Sequence, residues 1–151
     1  MEETTDAQLV ELSHEECMTL LATHQVGRLG VNADHYPLIF IVNYGMDRDV
    51  VVIRTHPGTK LTHANHANVT FEVDDIDVHT KSGWSVLVRG LAEEVTPAHH
   101  ADLLARTRNT QVEPWAPGEY GHWLRLIPQH VTGRLIVPGQ LPPPFPDRAY
   151  L

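Results

Sequence analysis

Val51-Val52-Ile53-Arg54-Thr55-His56-Pro57-Gly58-Thr59-Lys60-Leu61 changes its structural period halfway along. The β-branched residues up to Thr55 call for a strand. Pro57-Gly58 breaks it, and Thr59 to Ala67 carries residues that tolerate a short helix. A turn between a strand and a helix is also where a phosphate can sit. The helix start offers free N–H groups and a partial positive charge. Thr55 and Thr59 add hydroxyls, and Arg54 and Lys60 add full charges. The spacing is not that of a Walker loop. The same residues also suit a loop carrying surface ion pairs, so the stretch fixes local structure and leaves its ligand open.

Upstream, Val26 to Val31, Pro37 to Tyr44 and Val50 to Thr55 form a three-strand meander, punctuated by Asn32-Ala33-Asp34 and Met46-Asp47-Arg48-Asp49. Ser13-His14-Glu15-Glu16 has the form of a capping box, and Cys17, Leu20 and Leu21 follow at helical spacing, predicting a helix over residues 13–23. Downstream, Val69 to Asp74 alternates strictly. Trp84 to Arg89 is a further β-rich stretch that can run on to Val95, with Gly90 marking a bulge or bend. Pro97 suits the first position of a polar helix running through Leu103, Leu104 and Arg108. His122 to Ile127 and His130 to Val137 read as one or two closing strands around Pro128.

Many short strands without regular βαβ alternation predict a mainly β, antiparallel barrel with helical decorations. Residues 1–137 are expected to form this one domain. Residues 138–151, with five prolines between Pro138 and Pro146, are expected to be an extended Pro-rich arm.

Composition bounds the function. Eleven Lys plus Arg against 19 Asp plus Glu give a net charge of −8, the wrong sign for a nucleic-acid or anionic-membrane binder. Any anionic ligand must be held by local groups. Cys17 is the one cysteine, which rules out an internal disulfide and a cysteine zinc cluster and fits a reducing cytoplasm. No apolar run approaches the ~20 residues of a membrane span.

Ser82-Gly83-Trp84-Ser85-Val86-Leu87-Val88-Arg89-Gly90 places an aromatic face and a hydroxyl on one strand. A flat heteroaromatic ring can use both. Trp84 equally suits a core or dimer-interface position.

In order along the chain, Val26 to Leu29, Pro37 to Tyr44, Val51 to Thr55, Gly58 to Leu61, Val69 to Asp74 and Gly83 to Gly90 resemble the pyridoxamine 5′-phosphate oxidase-like, FMN-binding split-barrel family. The resemblance ends near Val137. It implies a six-stranded antiparallel split β-barrel, paired as a homodimer with FMN at the interface. It further implies that Arg54, Thr55, Thr59 and Lys60 surround the FMN phosphate and ribityl chain, and that Val42 and Asn43 line the isoalloxazine. Trp84 and Ser85 then approach the flavin from the partner subunit, and Trp123, Arg125 and Arg134 lie on the closing strands that complete the pocket. The family's true oxidases carry an Arg-x-His segment where this chain reads Arg125-Leu126-Ile127-Pro128-Gln129-His130. The helix with His99-His100-Ala101-Asp102-Leu103-Leu104 also lacks their Tyr and Arg pattern. These departures argue against vitamin B6 oxidation and resemble the short bacterial and nitroimidazole-reductase-like members.

The expected function is an FMN-dependent oxidoreductase acting on a small molecule, with no catalytic side chain named because the cofactor carries the electrons. A non-catalytic flavin or haem binder and a deazaflavin-dependent reductase are the alternatives. Eleven histidines raise the question of a metal. His63 and His66 are at i, i+3 spacing, but no His-Glu-x-x-His pattern accompanies them, and no metal is expected. Ser85 lacks a Gly-x-Ser-x-Gly elbow, and Asp74-Asp75-Ile76-Asp77 lacks the spacing of a calcium loop.

Overall fold

The computed structural model describes residues 6–98 and 101–139. Its elements are β1 (Gln8–Leu12), α1 (His14–Leu21), β2 (Val26–Ala33), β3 (Tyr36–Asp47), β4 (Val50–Thr55), α2 (Thr59–Ala64), β5 (Ala67–Asp77), β6 (Ser82–Val95), α3 (Ala101–Asn109) and β7 (His122–Val137). Six strands close an antiparallel ring in the order β7-β4-β3-β2-β5-β6 and back to β7, and β1 adds to β7 from outside.

The strand count is therefore seven where six were expected. The extra strand, Gln8-Leu9-Val10-Glu11-Leu12, is an edge strand with Leu12 its one partly buried residue. It shows no alternation that a reading of its residues can use. Its pairing with Val137 to Gly133 defines it.

The closing segment is one continuous strand. Residues 122–126 of β7 pair with β4, residues 133–137 pair with β1, and nearly the whole length pairs with β6. The ladder slips one residue between Arg89 and Gly90, opposite Pro128, so the proline falls where pairing is already irregular. A Cβ at Gly90 would collide with the Ile127 carbonyl, which is why the bend carries glycine.

Inward residues of the ring, among them Leu29, Val42, Tyr44, Ile53, Phe71, Val86, Val88 and Leu124, pack into one core that Cys17 and Leu21 of α1 enter. Each such side chain contributes about 1.5–3 kcal/mol by leaving water. The Tyr44 hydroxyl donates to the Leu21 carbonyl at 2.5 Å, tying α1 to the barrel. The Ser13–Glu16 capping box forms reciprocally and starts α1 at His14. Between β2 and β3, Asp34 and His35 both take positive φ (48° and 72°), the pattern of a tight type I′ hairpin.

A second, smaller cluster of Val52, Val95, Val112 and Trp123, with Leu104 against it, lies on the outer face of the ring beneath α3. Pro97 and Ala98 form a turn, so Pro97 does not open the helix as expected. His99 and His100 and the arm from residue 140 onward lie outside the described residues. Among the described residues, no helix is long and apolar enough to cross a membrane.

Candidate functional site

Strand alternation divides the residues expected around a phosphate. On β4, Val51, Ile53 and Thr55 face inward, and Thr55 is buried, its hydroxyl donating to the His56 carbonyl at 3.1 Å. Arg54 faces outward. Its Nε donates to the Tyr120 carbonyl at 2.7 Å and its guanidinium carbon lies 5.2 Å from the Trp123 ring centroid.

Thr59 and Lys60 open α2. The Lys60 ammonium is 5.5 Å from the Phe40 ring centroid. Among the described residues it has no carboxylate partner. Burial without such a partner holds its pKa below the usual lysine value. Arg54 and Lys60 thus present two cationic points, one facing Trp123 and one facing Phe40. Across the ladder from Thr55, the His122 ring is hydrogen-bonded to Glu94.

Val42 points into the core, and Asn43 points out. The Asn43 side-chain oxygen accepts the Trp115 backbone N–H at 2.8 Å. Asn43 and Arg54 are the first residues past the last β3–β4 pair, Tyr44 with Ile53. Both hold the segment that crosses from α3 to β7. A cleft of about 320 Å³ opens there, lined by His24, Asn43, Tyr44, Gln111 and Glu113 among others.

Trp84 and Ser85 belong to a different cleft, of about 480 Å³, with Leu9, Ile76, Lys81, Arg134 and Ile136. None of Val42, Asn43, Arg54, Thr55, Thr59 and Lys60 lines it. Trp84 packs against the core and meets His24 edge-on at 5.0 Å, and His24 in turn lies 3.2 Å from Asp75.

A third cleft, of about 660 Å³, lies on the outer face beside Arg54. Arg108 from α3 and Glu113, Tyr120 and Trp123 complete it. Sequence reading missed Arg108 and Tyr120. α3 reads as an outer decoration, and Tyr120 meets Arg54 from 66 positions away. No local pattern reports such a pairing.

On the outer face of the sheet, Arg28 Nη1 lies 3.0 Å from Asp74 and 3.4 Å from Glu72. Burial, and then the neighbouring Asp74 carboxylate, push Glu72 up to about 7 against the opposing pull of Arg28. Around this group, Ile39, Ile41 and Leu87 are exposed on the same face, Ile41 pairing with Arg28 and Leu87 with Glu72. Among the described residues no cluster suited to a metal occurs.

Comparison with known proteins places this geometry. Residues 13–135 match the model of the pyridoxamine 5′-phosphate oxidase family. The uncharacterised protein Rv0080 of Mycobacterium tuberculosis is 32% identical over 136 residues, covering 86% of this chain and 87% of its own length. The solved FAD-binding protein of Mycobacterium smegmatis is 38% identical with a TM-score of 0.72, covering 83% of this chain and 98% of that one. A conserved protein of unknown function from Corynebacterium diphtheriae is 28% identical with a TM-score of 0.70, over 85% and 98% of the two chains. A sixfold ring closed by β7, matched from the capping box of α1 to Leu135 in the closing strand, makes this chain a member of the pyridoxamine 5′-phosphate oxidase family.

Proposed function

We propose that this protein is a flavin-dependent oxidoreductase that binds FMN or FAD at the interface of a homodimer. The observation that carries the reading is Lys60, a desolvated ammonium without a carboxylate partner among the described residues, in a chain of net charge −8. A phosphate supplies the missing partner. Thr59 adds a hydroxyl beside it, so the donor set fits the flavin phosphate. The 38% identical Mycobacterium smegmatis protein binds FAD, which supports the same class of ligand here.

The bound flavin supplies the electron transfer. The chain's own work is to hold the phosphate through Thr59 and Lys60, to border the ring with the Val42 backbone and Asn43, and to shape access for a small substrate. Trp84 and Ser85 sit in a separate cleft of one chain, and a second copy brings them over the ring. The exposed Ile39, Ile41 and Leu87 supply an apolar face for that pairing.

The absorbance spectrum of the purified protein, followed by titration with FMN and with FAD, tests the reading. Flavin bands or saturable binding are expected, and Lys60→Ala should weaken binding roughly tenfold or more without unfolding the protein. A Soret band, or a preference for a deazaflavin with no affinity for either flavin, would overturn the cofactor assignment in favour of haem or deazaflavin.

A further inference from the structure

The outer-face cleft beside Arg54 holds two arginines that the phosphate reading at Lys60 does not use. Its chemistry is specific. Arg54 contributes a guanidinium that is fixed at Nε by the Tyr120 carbonyl and laid over Trp123, and among the described residues its two terminal nitrogens have no hydrogen-bond or ion-pair partner. Arg108 projects from α3 into the same cleft, and among the described residues its side chain forms no ion pair or hydrogen bond. Asp47 ties up the neighbouring arginines, Arg106 and Arg125, and leaves Arg108 aside. Two guanidiniums facing one hollow, with no carboxylate paired to either among the described residues, suit the remaining phosphate of a dinucleotide. Tyr120 adds an aromatic surface, and Glu113 on the rim is an acceptor for ribose hydroxyls. About 660 Å³ is ample for one nucleotide.

Position supplies the second argument. The His56 ring lies 5.4 Å from the Tyr120 ring, so the Arg54–Lys60 loop and the cleft share a border.

We infer that this cleft binds the adenosine monophosphate half of a dinucleotide whose other phosphate is the one held at Thr59 and Lys60, making FAD the preferred flavin. The inference rests on the flavin reading above, but the cleft can be tested apart from it. Arg108 is exposed and unpaired among the described residues, so Arg108→Ala should fold and melt like the parent. Dissociation constants of parent and variant for FAD, FMN, ADP and NADH are measured by calorimetry on flavin-free protein, with NADH measured again on FMN-loaded protein.

The expected result is that FAD binds more tightly than FMN, and that Arg108→Ala weakens FAD and ADP by roughly tenfold while FMN is unchanged. If FAD and FMN bind alike and NADH alone responds to the substitution, the cleft takes the adenine nucleotide of an electron donor and the FAD assignment is overturned. If neither flavin binds but ADP binding depends on Arg108, the flavin reading fails and the nucleotide cleft survives. Indifference of FAD, ADP and NADH alike to Arg108→Ala would overturn the inference.

Discussion

Glu72 is the side chain whose charge state the fold distorts most usefully for a test. It lies on the outer face of β5, with Arg28 within 3.4 Å and one carboxylate oxygen, Oε1, buried without a hydrogen-bond partner among the described residues. Burial first, and the Asp74 carboxylate second, raise its pKa from 4.5 to about 7. Below about 4.5 the group is protonated whether the chain is folded or not. Between about 4.5 and about 7 the folded protein binds the extra proton, so stability declines as pH rises through that window and levels off above it. Replacing Glu72 by Gln removes the ionisation. Urea unfolding at pH 5 and pH 8 should show the variant gaining on the parent by roughly 1–3 kcal/mol at the higher pH; equal pH dependence would place the cause elsewhere. At this scale the sequence is informative about identity and poor about direction. Arg54 and Lys60 stand out as cations around a turn, yet alternation along β4 sends Arg54 to Trp123, while Lys60 leaves from α2 toward Phe40.

α3 shows what attaches an element whose sequence is mostly polar. Arg125 of β7 is buried and donates to Asp47 at 2.8 Å and to the Thr107 hydroxyl at 3.0 Å, while Arg106 reaches the same Asp47 oxygen at 3.1 Å. Burial alone raises the Asp47 pKa, but the Arg125 hydrogen bond and the charges of Arg125 and Arg106 outweigh it and hold the carboxyl low. Three elements, the β3–β4 hairpin, α3 and β7, therefore meet on one carboxylate. Asp47→Ala leaves the Arg125 charge buried and unpaired, and should destabilise the protein by about 3 kcal/mol in chemical denaturation. A loss below about 1 kcal/mol would mean that the apolar contacts of Leu104 and Val112 dock α3 unaided. The elements with internal period were legible in advance. β5 alternates, β2, β3, β4 and β6 are rich in β-branched and aromatic residues, and α1 announces its start with a capping box. β1 was not legible, because Gln8 to Leu12 takes its conformation from the β7 edge it joins. The onset of α3 was misread because Pro97 belongs to a turn after β6.

At the scale of the molecule, the expected site residues fall into separate places on one chain. Lys60 lies with Phe40, Asn43 holds the segment before β7, and Trp84 with Ser85 occupies a cleft beside β1. Motifs along a sequence show which residues come together in kind. Which of them share a pocket depends on ring closure and, in the proposed dimer, on a second copy, and neither leaves a local pattern. A charge in the exposed apolar face tests the second copy. Ile41 is 75% exposed, so Ile41→Asp costs little in the isolated barrel. Sedimentation should show it monomeric, and flavin affinity should fall with it. A monomer that keeps full flavin affinity would assign the whole site to one chain.

The dependence of the ring on β7 has a consequence for biosynthesis. The strand that joins β4 to β6 is the last of the described strands to leave the ribosome, and the contacts it makes are the most distant in sequence. Until it arrives, β4 and β6 present bare edges able to pair with any neighbouring nascent chain. The barrel cannot close during translation of its first 121 residues, so its yield in the cell should depend on holdase chaperones and on spacing between ribosomes.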